Sequence, residues 1–194
     1  RPPRSTLFPY TTLFRSAKTP AVLPVPETAR LASPDGKIVW DATDPAAAQV
    51  RVDTPSTRAW WGRVGGRRCD LGSWEIRAGD VERNYAVFAL TSLDGRPLET
   101  SKRMLLAAVG SAENEGVQWN DERTSVSRQW GSGPARVNGI RADMALRSKV
   151  VAVHALDGCG ARISTVPVTC RDGVSRWTVG PESRTLWYEI EADR

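Results

Sequence analysis

Residues 85–109 read YAVFALTSLDGRPLETSKRMLLAAV, and this stretch decides the fold. Tyr85 to Thr91 is almost wholly apolar and rich in β-favouring residues, so it predicts a strand covered on both faces. Leu93-Asp94-Gly95-Arg96-Pro97 then interrupts it. Asp-Gly between two apolar runs signals a hairpin, and Pro97 with the spacing makes the connection longer than two residues. Ser101 to Val109 is the returning strand. Working outward, the same pattern recurs: short apolar runs broken about every 8 to 14 residues by Gly, Pro, Asp or Asn. It predicts an all-β antiparallel sandwich of the immunoglobulin or jelly-roll kind, with about 10–12 short strands. Upstream lie Lys37 to Trp40, Gln49 to Asp53, Ala59 to Val64 and Ser73 to Arg77. In the second of these Val50 and Val52 share a face, and in the fourth Trp74 and Ile76 point inward. Downstream lie Ala135 to Ile140, Arg141 to Arg147, Lys149 to Leu156, Ala161 to Val168, Val174 to Val179 and Thr185 to Glu189. No helical period persists beyond about two turns.

The organisation around this domain is simple. Residues 1–16, RPPRSTLFPYTTLFRS, resemble the translation of a short-read sequencing adapter and are excluded from the fold as an artefactual leader. The native chain is then expected to begin near Ala17, with any upstream domain lost. Residues 17–35, carrying Pro20, Pro24, Pro26 and Pro34, read as a linker or an extended lead-in segment. Residues 36–192 form the β-sandwich domain, long enough to bury a proper core.

Composition excludes several classes. The chain has a formal net charge of +5, but the leader holds three arginines and no acid, which leaves +2 for the rest. Such a balance, with basic residues scattered singly, gives no reason to expect a nucleic-acid partner. No apolar run approaches the length of a membrane-spanning helix. Three cysteines and one histidine cannot assemble the usual four-ligand zinc site, so neither a metal nor another cofactor is expected. Cys159 and Cys170 flank the short segment Ala161 to Val168 and could close a disulfide if it folds back on itself, with free buried thiols as the alternative. Cys69 stays unpaired either way.

Residues 110–133 turn polar and irregular, which predicts a long loop of the kind that often carries function. Within it Glu113, Glu115, Asp121 and Glu122 raise the two-carboxylate chemistry of glycoside cleavage. Their spacing does not set such a pair, and a solvated loop accounts for them. His154 alternates with Val153 and Ala155 and reads as a strand residue at a sheet surface. No residue is therefore assigned a catalytic role.

Eight tryptophans are many for this length. Flat indoles suit sugar rings, whose axial C–H groups pack on an aromatic face. Trp40, Trp74, Trp177 and Trp187 fall at positions read as inward. Trp60, Trp61, Trp119 and Trp130 are the candidate carbohydrate-binding residues: the first two are adjacent, so they point to opposite faces of a strand, and the last two lie in the polar loop.

Three segments carry a resemblance. They are Val50 to Thr57 (VRVDTPST), Tyr85 to Leu98, and Ser101 to Gly110 followed by Glu113-Asn114. Together they resemble the β-sandwich region that follows the catalytic (β/α)8 barrel in certain bacterial modular glycoside hydrolases. There a strand ending Asp-Thr-Pro-x-Thr precedes a Leu-Thr-Ser-Leu-Asp-Gly-x-Pro turn and an Arg-x-Leu-Leu-x-Ala-Val strand. The likeness spans residues 37–189. It departs from the pattern at Trp60-Trp61, where smaller residues are usual, and at Glu115, where Thr is usual. It implies a secreted or periplasmic accessory domain whose partner is a missing N-terminal catalytic (β/α)8 domain, with a polysaccharide second. A free-standing carbohydrate-binding module is the alternative. Catalytic carboxylates in such enzymes belong to the barrel, so none transfers to this chain.

Overall fold

The computed structural model describes residues 29–193; the leader and residues 17–28 of the lead-in segment lie outside the described residues. The chain is an antiparallel β-sandwich. Its strands are β1 (Arg30–Ala32), β2 (Ile38–Asp41), β3 (Gln49–Asp53), β4 (Thr57–Arg63), β5 (Arg68–Leu71), β6 (Trp74–Ala78), β7 (Tyr85–Ser92) and β8 (Arg103–Val109). They continue with β9 (Ala112–Glu115), β10 (Ser132–Val137), β11 (Ala142–Leu146), β12 (Val150–Leu156), β13 (Arg162–Val166), β14 (Thr169–Arg171), β15 (Val174–Val179) and β16 (Trp187–Ala192). The large sheet has nine strands in the order β1-β2-β3-β4-β7-β8-β16-β12-β13. The small sheet has five, β14-β15-β11-β6-β5, and β9 and β10 form a separate two-stranded ribbon.

Alternation explains the core. Trp60, Phe88 and Ala108 are cross-strand neighbours on the inner face of the large sheet, as are Leu90, Leu106 and Tyr188. Trp74, Ile76, Met144, Leu146 and Trp177 face them from the small sheet, all buried. The Trp60 and Phe88 rings stack with centroids 5.9 Å apart. The 93–101 turn also contributes. Asp94 accepts from the Ser92 hydroxyl and from the backbone of Arg96 and Lys102, which holds its carboxyl well below the usual carboxylate range, the Lys102 amide most of all. The turn thereby drops Leu98 fully into the core.

One charged side chain joins the layers. Arg58 lies on the same face of β4 as Trp60, with its side chain only 7 % exposed. Its guanidinium donates to Asp53 (2.7 Å), to Ser73 at the turn of the small sheet (2.7 Å) and to Glu99. Burial alone would make this cation easier to deprotonate, but the two carboxylates more than offset that and raise its pKa. Gly72 leaves room for the group: a Cβ there would lie 2.7 Å from the Arg58 Nη2, and its φ of +54° favours glycine.

The structure corrects several expectations. Tyr85–Ser92 buries one face only: Ala86, Phe88 and Leu90 are core, whereas Tyr85 is exposed and Val87 and Ala89 are half-buried. Trp74 and Trp177 are core as expected, but Trp40 is half-buried and Trp187 exposed, because both lie on the outer face of the large sheet. The expected loop contains β9, which pairs with β10. Sixteen strands are present among the described residues, the additions being the short β1, β5, β9 and β14. The disulfide is not formed: Cys159 and Cys170 are free and exposed. The segment between them does not fold back. It runs as β13 along β12 in the large sheet, and the chain then crosses to β14 in the small one.

Candidate functional site

Two surfaces stand out, and both follow from the strand register. The first is the outer face of the large sheet. Leu31, Trp40, Val50, Trp61, Val87 and Val109 are successive partners across β1, β2, β3, β4, β7 and β8. A second row runs beside it through Ile38, Val52, Ala59, Ala89, Ala107 and Trp187. A one-sided sheet in water would alternate polar residues onto this face; here both rows are apolar. Tyr85 and Trp187 are 42 % and 41 % exposed, which leaves about 60–100 Å² of each ring uncovered. With Leu31 and Ile38 about half exposed, the field reaches several hundred Å², a size that marks interaction surfaces.

The face ends in a charged network. Glu189 on β16 is almost fully buried, yet it accepts from Arg103 and from Arg162 (2.7 Å). The Arg162 hydrogen bond, opposed by burial and reinforced by Arg103, holds its carboxyl below the usual range. Arg162 also binds Glu191, whose other oxygen lies 3.8 Å from His154 Nε2. His154 is half-buried at the sheet surface, with Nδ1 3.3 Å from the Thr165 hydroxyl.

The second surface is the β9–β10 ribbon and its connecting residues 116–131. Glu113 and Glu115 project from alternate positions of β9, and each meets an arginine. Glu113 pairs with Arg83 and lies 3.6 Å from Arg123, and Glu115 is 2.5 Å from Arg136. The Arg83 hydrogen bond keeps Glu113 below its ordinary pKa, with help from Trp119. A carboxylate held ionised in this way is a poor proton donor. Asp121 and Glu122 are exposed in the connection. Glu113 and Glu115 line one cavity of about 550 Å³ together with Glu82, but each of the two is paired with an arginine. No group of three or more metal-binding side chains occurs among the described residues.

The four candidate tryptophans part company. Trp60 is fully buried, stacked on Phe88, and its indole N–H donates to Gln49 (2.7 Å), so it cannot meet a sugar. Trp61 is half-buried within the apolar outer rows. Trp119, 37 % exposed, donates its indole N–H to Glu113 (2.8 Å) and lies under the guanidinia of Arg83 and Arg123, 5.8 and 5.7 Å from the ring centre. Trp130 is 65 % exposed, the most open large apolar side chain among the described residues. Trp119 and Trp130 line one cleft of about 290 Å³, floored by Ala112, Val126 and Ala135. The larger depression, about 650 Å³, lies on the outer face of the small sheet and is ringed by Glu75, Arg77, Asp143, Arg176 and Glu182, a mixed charged and solvated surface.

Sequence reasoning missed Arg58, Glu189 and the apolar rows. Parity carried the first: residues 58, 60 and 62 share a face, so Arg58 had to accompany Trp60. Comparison of the chain with protein-family models, curated proteins and solved structures finds no match in any of the three.

Proposed function

We propose that this chain is a non-catalytic accessory β-sandwich of a glycoside hydrolase, which packs through the outer face of its large sheet against a catalytic (β/α)8 domain and contacts glycan as its second partner. The observation that carries this reading is the pair of apolar rows crossing six strands. A sheet that stays apolar on its uncovered face is built to be covered. Burial of such an area in a domain–domain contact is of ordinary size. The charged network at Glu189 would border the contact and fix its register, since charges at a rim orient more than they bind.

The test is hydrogen exchange on the chain alone and on the chain joined to the (β/α)8 domain of a glycoside hydrolase encoded in the same reading frame. Added protection of the outer-face strands β2, β3, β4 and β7, lost on Ile38→Lys with Val52→Lys, is the expected result. Equal exchange with and without the barrel would sink the proposal.

A further inference from the structure

We infer that the cleft between Trp119 and Trp130 on the β9–β10 ribbon is a carbohydrate subsite that seats one neutral pyranose ring against the Trp130 indole. The inference rests on the glycan-directed reading above and names where the glycan would be held.

Trp130 is exposed on a pinned backbone. Its carbonyl accepts from the Asn114 side-chain amide (3.1 Å). The next residue, Gly131, has φ +70° and sits so close to β9 that a Cβ would lie 2.4 Å from the Glu115 carbonyl. Only glycine makes this approach, and it fixes where the indole stands. The opposite wall is equally constrained, because Trp119 is tied to Glu113 through its indole N–H and carries two guanidinia on its ring. An exposed aromatic that is already ordered loses little freedom when a ligand arrives.

The chemistry of the cleft selects the ligand. Its volume, about 290 Å³, lies at the small end of ligand pockets and suits one ring. An indole face and an apolar floor match the C–H face of a pyranose. The polar rim matches its hydroxyls: Asn114 offers a carboxamide oxygen and Glu113 a carboxylate. The charges around the cleft also pair with one another, Glu113 with Arg83 and Arg123, Glu82 with Arg83, and Glu115 with Arg136, three acids against three arginines. No unbalanced field is left to prefer an ionised sugar, so the ring is a neutral hexose or pentose.

The experiment is affinity electrophoresis of the full chain in gels containing β-glucan, xylan, mannan or galactan. At least one should retard the protein. Trp130→Ala should weaken that retardation about tenfold, the loss expected for one indole–sugar contact. Trp187→Ala, on the outer face of the large sheet, should leave it unchanged. Near-ultraviolet circular dichroism would show that Trp130→Ala is folded. Migration unaffected by all four polysaccharides, or retardation that survives in Trp130→Ala, would overturn the inference. The docking reading concerns a different face and is judged by hydrogen exchange, so failure of one leaves the other standing.

Discussion

Replacing Arg58 by Met should cost about 2–4 kcal/mol of folding stability. The substitution keeps the length and apolar stem of the side chain and removes only its guanidinium. Three hydrogen bonds disappear, two of them to carboxylates. A hydrogen bond to a charged group contributes about 1.5–3 kcal/mol and a neutral one about 1. Asp53 and Glu99 are 43 % and 49 % exposed, so both regain water once the cation is gone, which brings the total below that sum. For a domain of this size the midpoint of thermal unfolding should fall by about 5–15 °C. The assay is urea unfolding followed by the emission of the buried tryptophans, with the denaturant slope checked for constancy. Ser73→Ala removes only the neutral bond, at about 0.5–1.5 kcal/mol. A double-mutant cycle between Arg58 and Glu99 should return a coupling of at least about 0.5 kcal/mol. If Arg58→Met unfolds within 0.5 kcal/mol (about the noise for an uninvolved surface site) of the parent, the tie between layers is illusory.

Glu189→Gln should lower stability by about 1–2 kcal/mol at pH 7, since the partners Arg103 and Arg162 are themselves partly solvated. Because the folded carboxyl titrates below its unfolded value, its contribution is complete above about pH 4.3 and fades as pH falls through the folded pKa; the gap between variant and parent in urea titrations should close in acid, and a constant gap would refute the assignment. Ellman's reagent should modify Cys159 and Cys170 rapidly in the native protein, while Cys69, buried and with its thiol pushed up to about 11, should react only on unfolding; fewer than two fast thiols would contradict the exposed pair. Gly131→Ala should alter exchange in residues 116–131 and leave the global midpoint within about 3 °C, since the ribbon lies outside the core; an undisturbed loop would mean that the close approach to Glu115 is not needed.

Strands were legible where one face is plainly polar. In WEIRA the alternation gives both the strand and the side that faces the core, whereas in QVRVD it gives the strand alone, since Val50 and Val52 lie on the outer face. It fails where both faces are apolar. TRAWWGR and YAVFALTS offer no parity signal for which set goes inward, and a strict reading buried Trp187 and both sides of β7. A period of two fixes which residues share a face; it does not say which face the second sheet will cover. The ribbon escaped notice for the opposite reason. AENE has no apolar repeat and pairs only because residues 132–137 return alongside it. The spacing of Cys159 and Cys170 leaves both a disulfide and free thiols open, and only the crossing of the intervening residues between layers separates the two. Of the candidate site, exposure of Trp130 followed from its polar surroundings. The burial of Trp60 needed knowledge that Phe88 would stack on it.

The position of β16 has a kinetic consequence. That strand lies between β8 and β12, third from the β13 edge of the large sheet, where Met104 meets Ile190 across more than eighty intervening residues. The small sheet is likewise assembled from three separated excursions of the chain. Neither layer can mature while the other waits, so folding should be slow, all-or-none and governed by a late long-range closure. A nascent chain not yet extended through β16 would hold a six-stranded and a two-stranded piece with bare edges, a state prone to self-association until that strand arrives.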